Sequence, residues 1–364
     1  MRFHHLPLIA TLGFALLSSC AMPQHSQAAP PLIMGYYPSY RTTPAPADIR
    51  FDRFTHIIQS FVSADANGKA IATEGLSPQP LVPDAHAKGV KVLLALGGGS
   101  NGEDFGRMVR APAKRVQFIT DATKMMSDGN YDGLVIDWEQ PEATDKAVTT
   151  EFVGQLRTQT KAANPASLLI LVVNSKPNNS KGYDGPQLRD KVDYLQVMTY
   201  DFHGPWSHAG HHTSLYADAS DTTDGKVLSF SATLSYWHDV QGFRTDQILL
   251  GLAGYGRGFK VNEWYEKPTA PSQYPEISFR DTRALIGKGW TRQWDAEAHA
   301  PWLLSDDKTD RISYDDEQSC TDKSRWIKQN NLPGFFIWEM TQDYVDGDNL
   351  LIAAAQNAWK DATN

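Results

Sequence analysis

The chain has 364 residues and a formal net charge of −8; 41% of it is hydrophobic and 11% aromatic, with 10 Trp and 14 Tyr. That length admits two ordinary domains or one large α/β barrel. The acidic balance, without any long basic run, argues against a nucleic-acid partner, and the Trp content points to a surface that stacks flat ligands such as sugar rings.

The first residues read as an export signal. Arg2, His4 and His5 precede an apolar run from Leu6 to Leu17, too short for a mature transmembrane helix. The run leads into Leu17-Ser-Ser-Cys20, which resembles a bacterial lipobox with Cys20 as the lipidated residue; cleavage near Ala28 is the other reading. Residues 1–20 are therefore expected to be a signal peptide and 21–30 a flexible tether. Ala21 after the cysteine would send such a lipoprotein to the outer membrane of a two-membrane bacterium. The expectation is an exported surface lipoprotein or a secreted protein, with an acyl chain as its sole membrane contact. The other cysteine is Cys320. With Cys20 lipidated or removed, the mature fold has no disulfide and depends on its core.

Residues 31–362 alternate apolar strands with helices. Leu32–Tyr37 predicts strand one, stopped by Pro38, and Phe54–Phe61 predicts strand two. A helix over Val82–Lys88 ends at Gly89. Val90–Leu96 predicts strand three, running into Gly97-Gly98-Gly99. A helical pattern from Ala113 to Ser127 places Val116, Phe118, Ile119, Ala122 and Met125 on one side. Strand four is Gly133–Ile136. A helix over Thr149–Ala163 stops at Asn164-Pro165. Strand five is Leu168–Val173 and strand six Tyr194–Tyr200. A polar loop with His203, His208, His211 and His212 follows, then a helix over Phe230–Val240. Strand seven is Ile248–Ala253, strand eight Gly334–Trp338, and Leu350–Trp359 a closing helix. Eight such strands separated by helices predict a closed (β/α)8 TIM barrel. Residues 259–325 are too long for one crossover and predict a small α+β insertion between strands seven and eight.

Strand four carries the chemistry. Its side chains alternate, so Val135, Asp137 and Glu139 share one face and Leu134 and Ile136 the other. Carboxylates at the end of a buried strand are costly without partners. A structural salt bridge is the plain reading; a general acid, Glu139, tuned by Asp137 is the functional one. Active sites of such barrels lie at the C-terminal strand ends. Other ends here also carry aromatic or polar groups: Tyr36 and Tyr37 on strand one, Met198, Tyr200 and Asp201 on strand six, Tyr255 and Arg257 after strand seven, Trp338 on strand eight.

These segments resemble glycoside hydrolase family 18, the chitinase family. Asp132-Gly-Leu-Val-Ile-Asp-Trp-Glu-Gln-Pro141 is similar to its DGxDxDxE motif, and Met198-Thr-Tyr-Asp-Phe-His-Gly204 with Trp206 to its strand-six motif. Gly254-Tyr-Gly-Arg-Gly-Phe259 resembles its strand-seven motif and Ile337-Trp-Glu339 its strand eight. Trp294-Asp295, Pro301 and Ile312-Ser-Tyr-Asp-Asp316 resemble the inserted domain of larger members. The resemblance implies hydrolysis of β-1,4-linked N-acetylglucosamine polymers, chitin or its oligosaccharides, by a substrate-assisted retaining route. It implies that Glu139 protonates the glycosidic oxygen, Asp137 holds the acetamido N–H, Tyr200 donates to the acetamido oxygen and Trp338 floors the sugar. Tyr36, Phe61, Trp138, Met198, Asp201, Tyr255 and Arg257 would bind the substrate. A monomer without cofactor is expected. This chemistry needs no metal, and loop histidines without a strand scaffold are expected to be solvated.

Three positions depart from the family pattern. Val135 replaces the middle aspartate of the strand-four motif, Ala95 the strand-three serine, and Gln140 the tyrosine after the glutamate. Asp132 faces away from the other acids by parity and reads as structural. An apolar neighbour disfavours charge on Asp137, so a slower enzyme with a shifted pH profile is expected. Two alternatives stay open: a non-catalytic chitin- or glycan-binding surface lipoprotein, and an endo-β-N-acetylglucosaminidase.

Overall fold

A computed structural model describes Met1 and residues 30–99, 102–223 and 228–361. The expected signal peptide, Cys20 and nearly all of the tether lie outside the described residues. Eight parallel strands close on themselves: β1 (Leu32–Pro38), β2 (His56–Ala64), β3 (Lys91–Gly97), β4 (Gly133–Asp137), β5 (Leu168–Asn174), β6 (Tyr194–Met198), β7 (Ile248–Ala253) and β8 (Gly334–Trp338). Each pairs with the next, and β8 returns to β1 with Gly334 opposite Leu32. The result is a closed (β/α)8 barrel.

Both faces of each strand are apolar because helices cover the outside and side chains fill the inside. Alternation sends one strand into two cores. On β4, Leu134 and Ile136 pack outward with Leu94, Leu96, Leu169 and Leu171. Val135 packs inward with Ile58, Leu93, Ala95 and Ile170.

The helices before β7 are α1 (Leu81–Ala87), α2 (Gly102–Arg110), α3 (Pro112–Asp128), α4 (Lys146–Ala163), α5 (Gly185–Leu188) and α6 (Phe230–Ser235). A π turn, Tyr236–Val240, extends α6. The sequence pattern did not predict α2, which Gly102 and Gly106 disguise; its Phe105, Met108 and Val109 nevertheless share one buried side. Glu103 and Asp104 at its start and Arg107 and Arg110 at its end suit the helix dipole. On α3, Val116 is 57% exposed, against expectation. The buried stripe runs instead through Phe118, Ile119, Ala122 and Met126.

After β7 the chain turns at Gly254 into a separate five-stranded antiparallel sheet. Its strands are Tyr255–Lys260, Ile277–Ser278, Trp290–Asp295, Ala300–Ser305 and Asp310–Ser313, with α7 (Phe279–Leu285) inserted; α8 (Glu317–Gln329), β8 and α9 (Leu350–Asp361) complete the barrel. The sheet thus starts at Tyr255, not at Phe259, and its first strand carries Tyr255 and Arg257 to the barrel mouth.

A buried ion pair ties these parts together. The Lys323 ammonium on α8 lies 2.6 Å from Asp315, and both side chains are 0% exposed. The amine also donates to the carbonyl and hydroxyl of Thr213, at 2.9 and 2.7 Å. The second Asp315 oxygen accepts the Ala253 N–H at the end of β7. Lys323→Ala leaves that carboxylate buried and unpaired, so unfolding in urea is expected to show a loss of about 3–5 kcal/mol. A loss below about 1 kcal/mol, typical of exposed pairs, would mean the pair does not hold the sheet to the barrel.

Candidate active site

Strands β3 and β4 bring the acids into place. Ala95 lies opposite Val135 and Gly97 opposite Asp137. Gly97 has φ +107°, and a Cβ there would sit 2.3 Å from the Asp137 carbonyl oxygen, so the approach requires bare backbone. Gly99 does the same for the second acid: a Cβ would sit 2.8 Å from a Glu139 carboxyl oxygen.

A cavity of about 430 Å³ opens at the C-terminal end of the barrel. Asp137, Glu139, Tyr200, Tyr36, Phe61, Met198, Asp201, Tyr255, Arg257 and Trp338 all line it. Larger clefts of about 600 and 620 Å³ lie around Pro268 and Arg280; the smaller one is the candidate because two desolvated acids converge in it. The sequence reading missed Tyr40, Thr73, Gly99 and Val172, which also line the cavity. It also missed Tyr183, fully buried, whose hydroxyl donates to the carbonyl of Trp138 between the two acids. Of these, the inward parity of Val172 on strand five was readable.

Burial, and then the neighbouring Glu139, push the Asp137 carboxyl well above the usual range. One Asp137 oxygen is buried without a hydrogen-bond partner among the described residues. Burial, and then the charge of Asp201, push Glu139 up to about 7. Asp201 itself stays low. Burial would raise it, but His212 and Arg257 more than offset that. Arg257 does so by a two-pronged contact, Nε and Nη2 at 2.8 and 2.9 Å from the two carboxylate oxygens. The His212 Nδ1 is 3.8 Å away, beyond hydrogen-bond length.

Aromatic rings wall the cavity. Trp338 meets Tyr36 edge-on at 5.3 Å and stacks beside Phe61 at 5.8 Å. The Tyr36 hydroxyl donates to Gln196 Oε1 at 2.7 Å, and Tyr200 packs edge-on against Tyr255 at 6.0 Å.

Two expectations need correction. Trp138 does not line the cavity. It is 2% exposed and faces the helix layer, 6.3 Å from Phe105 and 5.7 Å from the Arg110 guanidinium. The same alternation that aims Asp137 and Glu139 inward aims residue 138 outward. The loop histidines are not generally solvated: His203, His211 and His212 are buried and only His208 is exposed. His203 meets Asp221 and His211 meets Asp295, each at 3.1 Å, while His212 Nε2 lies 3.1 Å from the Tyr255 carbonyl. Asp132 lies outside the cavity, where it accepts the Val92 N–H at 2.7 Å and meets His86 at 2.8 Å.

The family model "Glycosyl hydrolases family 18" matches residues 32–343. The chain belongs to that family. It is 30% identical over 274 residues to a "Probable endochitinase" of Caenorhabditis elegans, covering 70% of this chain and 44% of that protein. It is 26% identical to "Chitinase B" of Serratia marcescens, covering 86% of this chain and 77% of that one. The crystal structure of an Ostrinia furnacalis Group IV chitinase in complex with allosamidin superposes with a TM-score of 0.83 at 23% identity, covering 92% and 100% of the two chains. This likeness shows the shared barrel.

The acid chemistry is directly measurable. Infrared or NMR titration of Glu139 is expected to show a midpoint near 7. Asp201→Asn removes a neighbouring negative charge that disfavours ionisation, so the midpoint should fall. An unchanged midpoint would assign the whole shift to burial.

Proposed function

We propose that this family 18 member is a chitin-degrading glycosidase acting by substrate-assisted, retaining catalysis on chitin or N-acetylglucosamine oligosaccharides. The observation that carries the reading is geometric: Glu139, whose burial favours its protonated form, shares one cavity with Asp137, Tyr200 and Trp338. The curated chitinases it resembles support the substrate class. The apolar run and Cys20 support an exported location.

In the proposed reaction the sugar rests on Trp338 with its acetamido group between Asp137 and the Tyr200 hydroxyl. The acetamido oxygen attacks C1, the bond from C1 to the glycosidic oxygen breaks, and that oxygen takes the Glu139 proton. Asp137 accepts the acetamido N–H. Asp137 acts as the carboxylate, its proton already released to solvent, and positive charge growing on the oxazolinium ring stabilises that anion increasingly along the reaction. A water then gives a proton to the Glu139 carboxylate and attacks C1; the bond from C1 to the acetamido oxygen breaks, the acetamide re-forms, and the original configuration is restored. No second carboxylate attacks the sugar, so the route lies outside the two-carboxylate scheme of most glycosidases.

The apolar pair Ala95 and Val135 beneath Asp137 favours the rival, a chitin-binding protein without turnover. Glu139 argues against it, because general acid catalysis contributes roughly 10²–10⁴-fold. Glu139→Gln is therefore expected to lower release of products from chitin oligosaccharides by about that factor, with binding retained in calorimetry. Equal rates remove Glu139 from the mechanism; binding without turnover in the wild type selects the rival. Because a raised pKa keeps the acid form present below it, kcat/KM should fall as pH rises through about 7.

The floor gives a second test. Val135→Asp alone buries a carboxyl beside Ala95 and should destabilise the barrel by about 1–3 kcal/mol. Val135→Asp with Ala95→Ser supplies a hydroxyl partner and is expected to raise kcat or move the pH optimum. A double variant that folds and changes neither would show that the floor does not tune Asp137.

A further inference from the structure

The cavity rim carries a charged group that the proposed reaction does not use. Val172 lines the cavity from β5, and Asn174 pairs in register with Met198. Lys176 stands two residues beyond the end of β5, with φ −82° and ψ 120°. Its side chain is half-buried, with the ammonium 6.0 Å from the ring centre of Trp206. The Arg257 guanidinium, which lines the cavity, lies 5.2 Å from the same ring. Trp206 is 59% exposed, an aromatic plate standing beside the cavity.

The two cations differ in what they have free. Arg257 donates through Nε and Nη2 to Asp201 and through Nη1 to Glu276. The Lys176 ammonium makes no ion pair and no hydrogen bond among the described residues; it has the Trp206 ring and the more distant charge of Asp201. Burial lowers its pKa and Asp201 raises it. An ammonium has three N–H donors and no lone pair to accept with. A ligand that pairs with this group brings an acceptor oxygen in place of water.

We infer that Lys176 makes the protein selective for an N-acetylated over a deacetylated sugar at the position next to the reacting one. There the acetamido carbonyl accepts from Lys176 while the ring rests on Trp206. Glucosamine fails twice: it lacks the carbonyl, and it brings a second ammonium toward the first. Asp201 does not rescue it, because Arg257 holds both carboxylate oxygens. The inference rests on the chitinolytic reading and names its substrate class as the fully acetylated polymer, with partly deacetylated chains discriminated against.

The test uses the full chain with chitopentaose and pentamers carrying one glucosamine at defined positions. Initial rates and cleaved bonds are read by mass spectrometry. The wild type is expected to cut bonds flanked by glucosamine on the Trp206 side about tenfold less well than the acetylated equivalent. Lys176→Gln and Lys176→Met should each shrink that ratio to about threefold or less, and Lys176→Arg, which keeps charge and donors, should restore it. An unchanged ratio in the Gln and Met variants overturns the role of Lys176, while Glu139-dependent hydrolysis still supports the reading beneath it. If no form hydrolyses any pentamer, the chitinolytic reading fails. Calorimetric affinities for acetylated and deacetylated pentamers then decide Lys176 alone, and equal ratios in wild type and Lys176→Met overturn it.

Discussion

Taking two neighbouring carboxyl groups out of water is the constraint around which this barrel end is built. Asp137 and Glu139 leave the same face of β4, and burial raises both. Such acids either find cations or keep protons. Here Arg257, a cation lining the same cavity, is engaged by Asp201 instead. Asp201 therefore stays ionised, and its charge helps hold the proton on Glu139. A relay of charge thus runs from the separate sheet, which supplies Arg257, through the end of β6 to the acid on β4. The sheet contributes to the acid site without placing a carboxyl in it.

Below the acids the barrel is dry. Ala95 and Val135 face each other across β3 and β4 and are both fully buried in the inner core. Their small apolar side chains offer Asp137 no donor, consistent with its unpartnered oxygen. Stabilisation of Asp137 as an anion must then come from above, from the charge that develops on a bound sugar. In the proposed reaction Asp137 would then hold negative charge poorly at rest and better in the transition state, the direction in which binding differences accelerate a reaction.

Much of this was legible from alternation alone. Parity separated Val135, Asp137 and Glu139 from Leu134 and Ile136, and it placed Asp132 outside. Applied to Trp138, the same rule gives the helix layer; the error came from attaching the whole motif to the cleft. The histidine loop was misread because the partners of His203 and His211 stand 18 and 84 residues away, beyond any local pattern. Gly99 and Tyr183 were invisible for a similar reason. Their roles depend on backbone and carboxyl approaches to β4 from other parts of the chain. Helix α2 was hidden by its glycines, although its three large apolar residues carried the helical spacing.

The physical case for a catalyst over a binder turns on the cost of the glutamic acid. Gln at position 139 would keep the shape and most hydrogen bonds of Glu139 without the desolvation penalty of an ionisable group. A surface that merely stacks sugars gains nothing from a proton that leaves near pH 7. Trp338, Tyr36 and Phe61 already provide the flat walls such a surface needs. What the acid adds is a proton favoured by burial beside a second desolvated carboxyl. That pairing has a use in bond breaking, and this is the physical ground for proposing a catalyst over a binder.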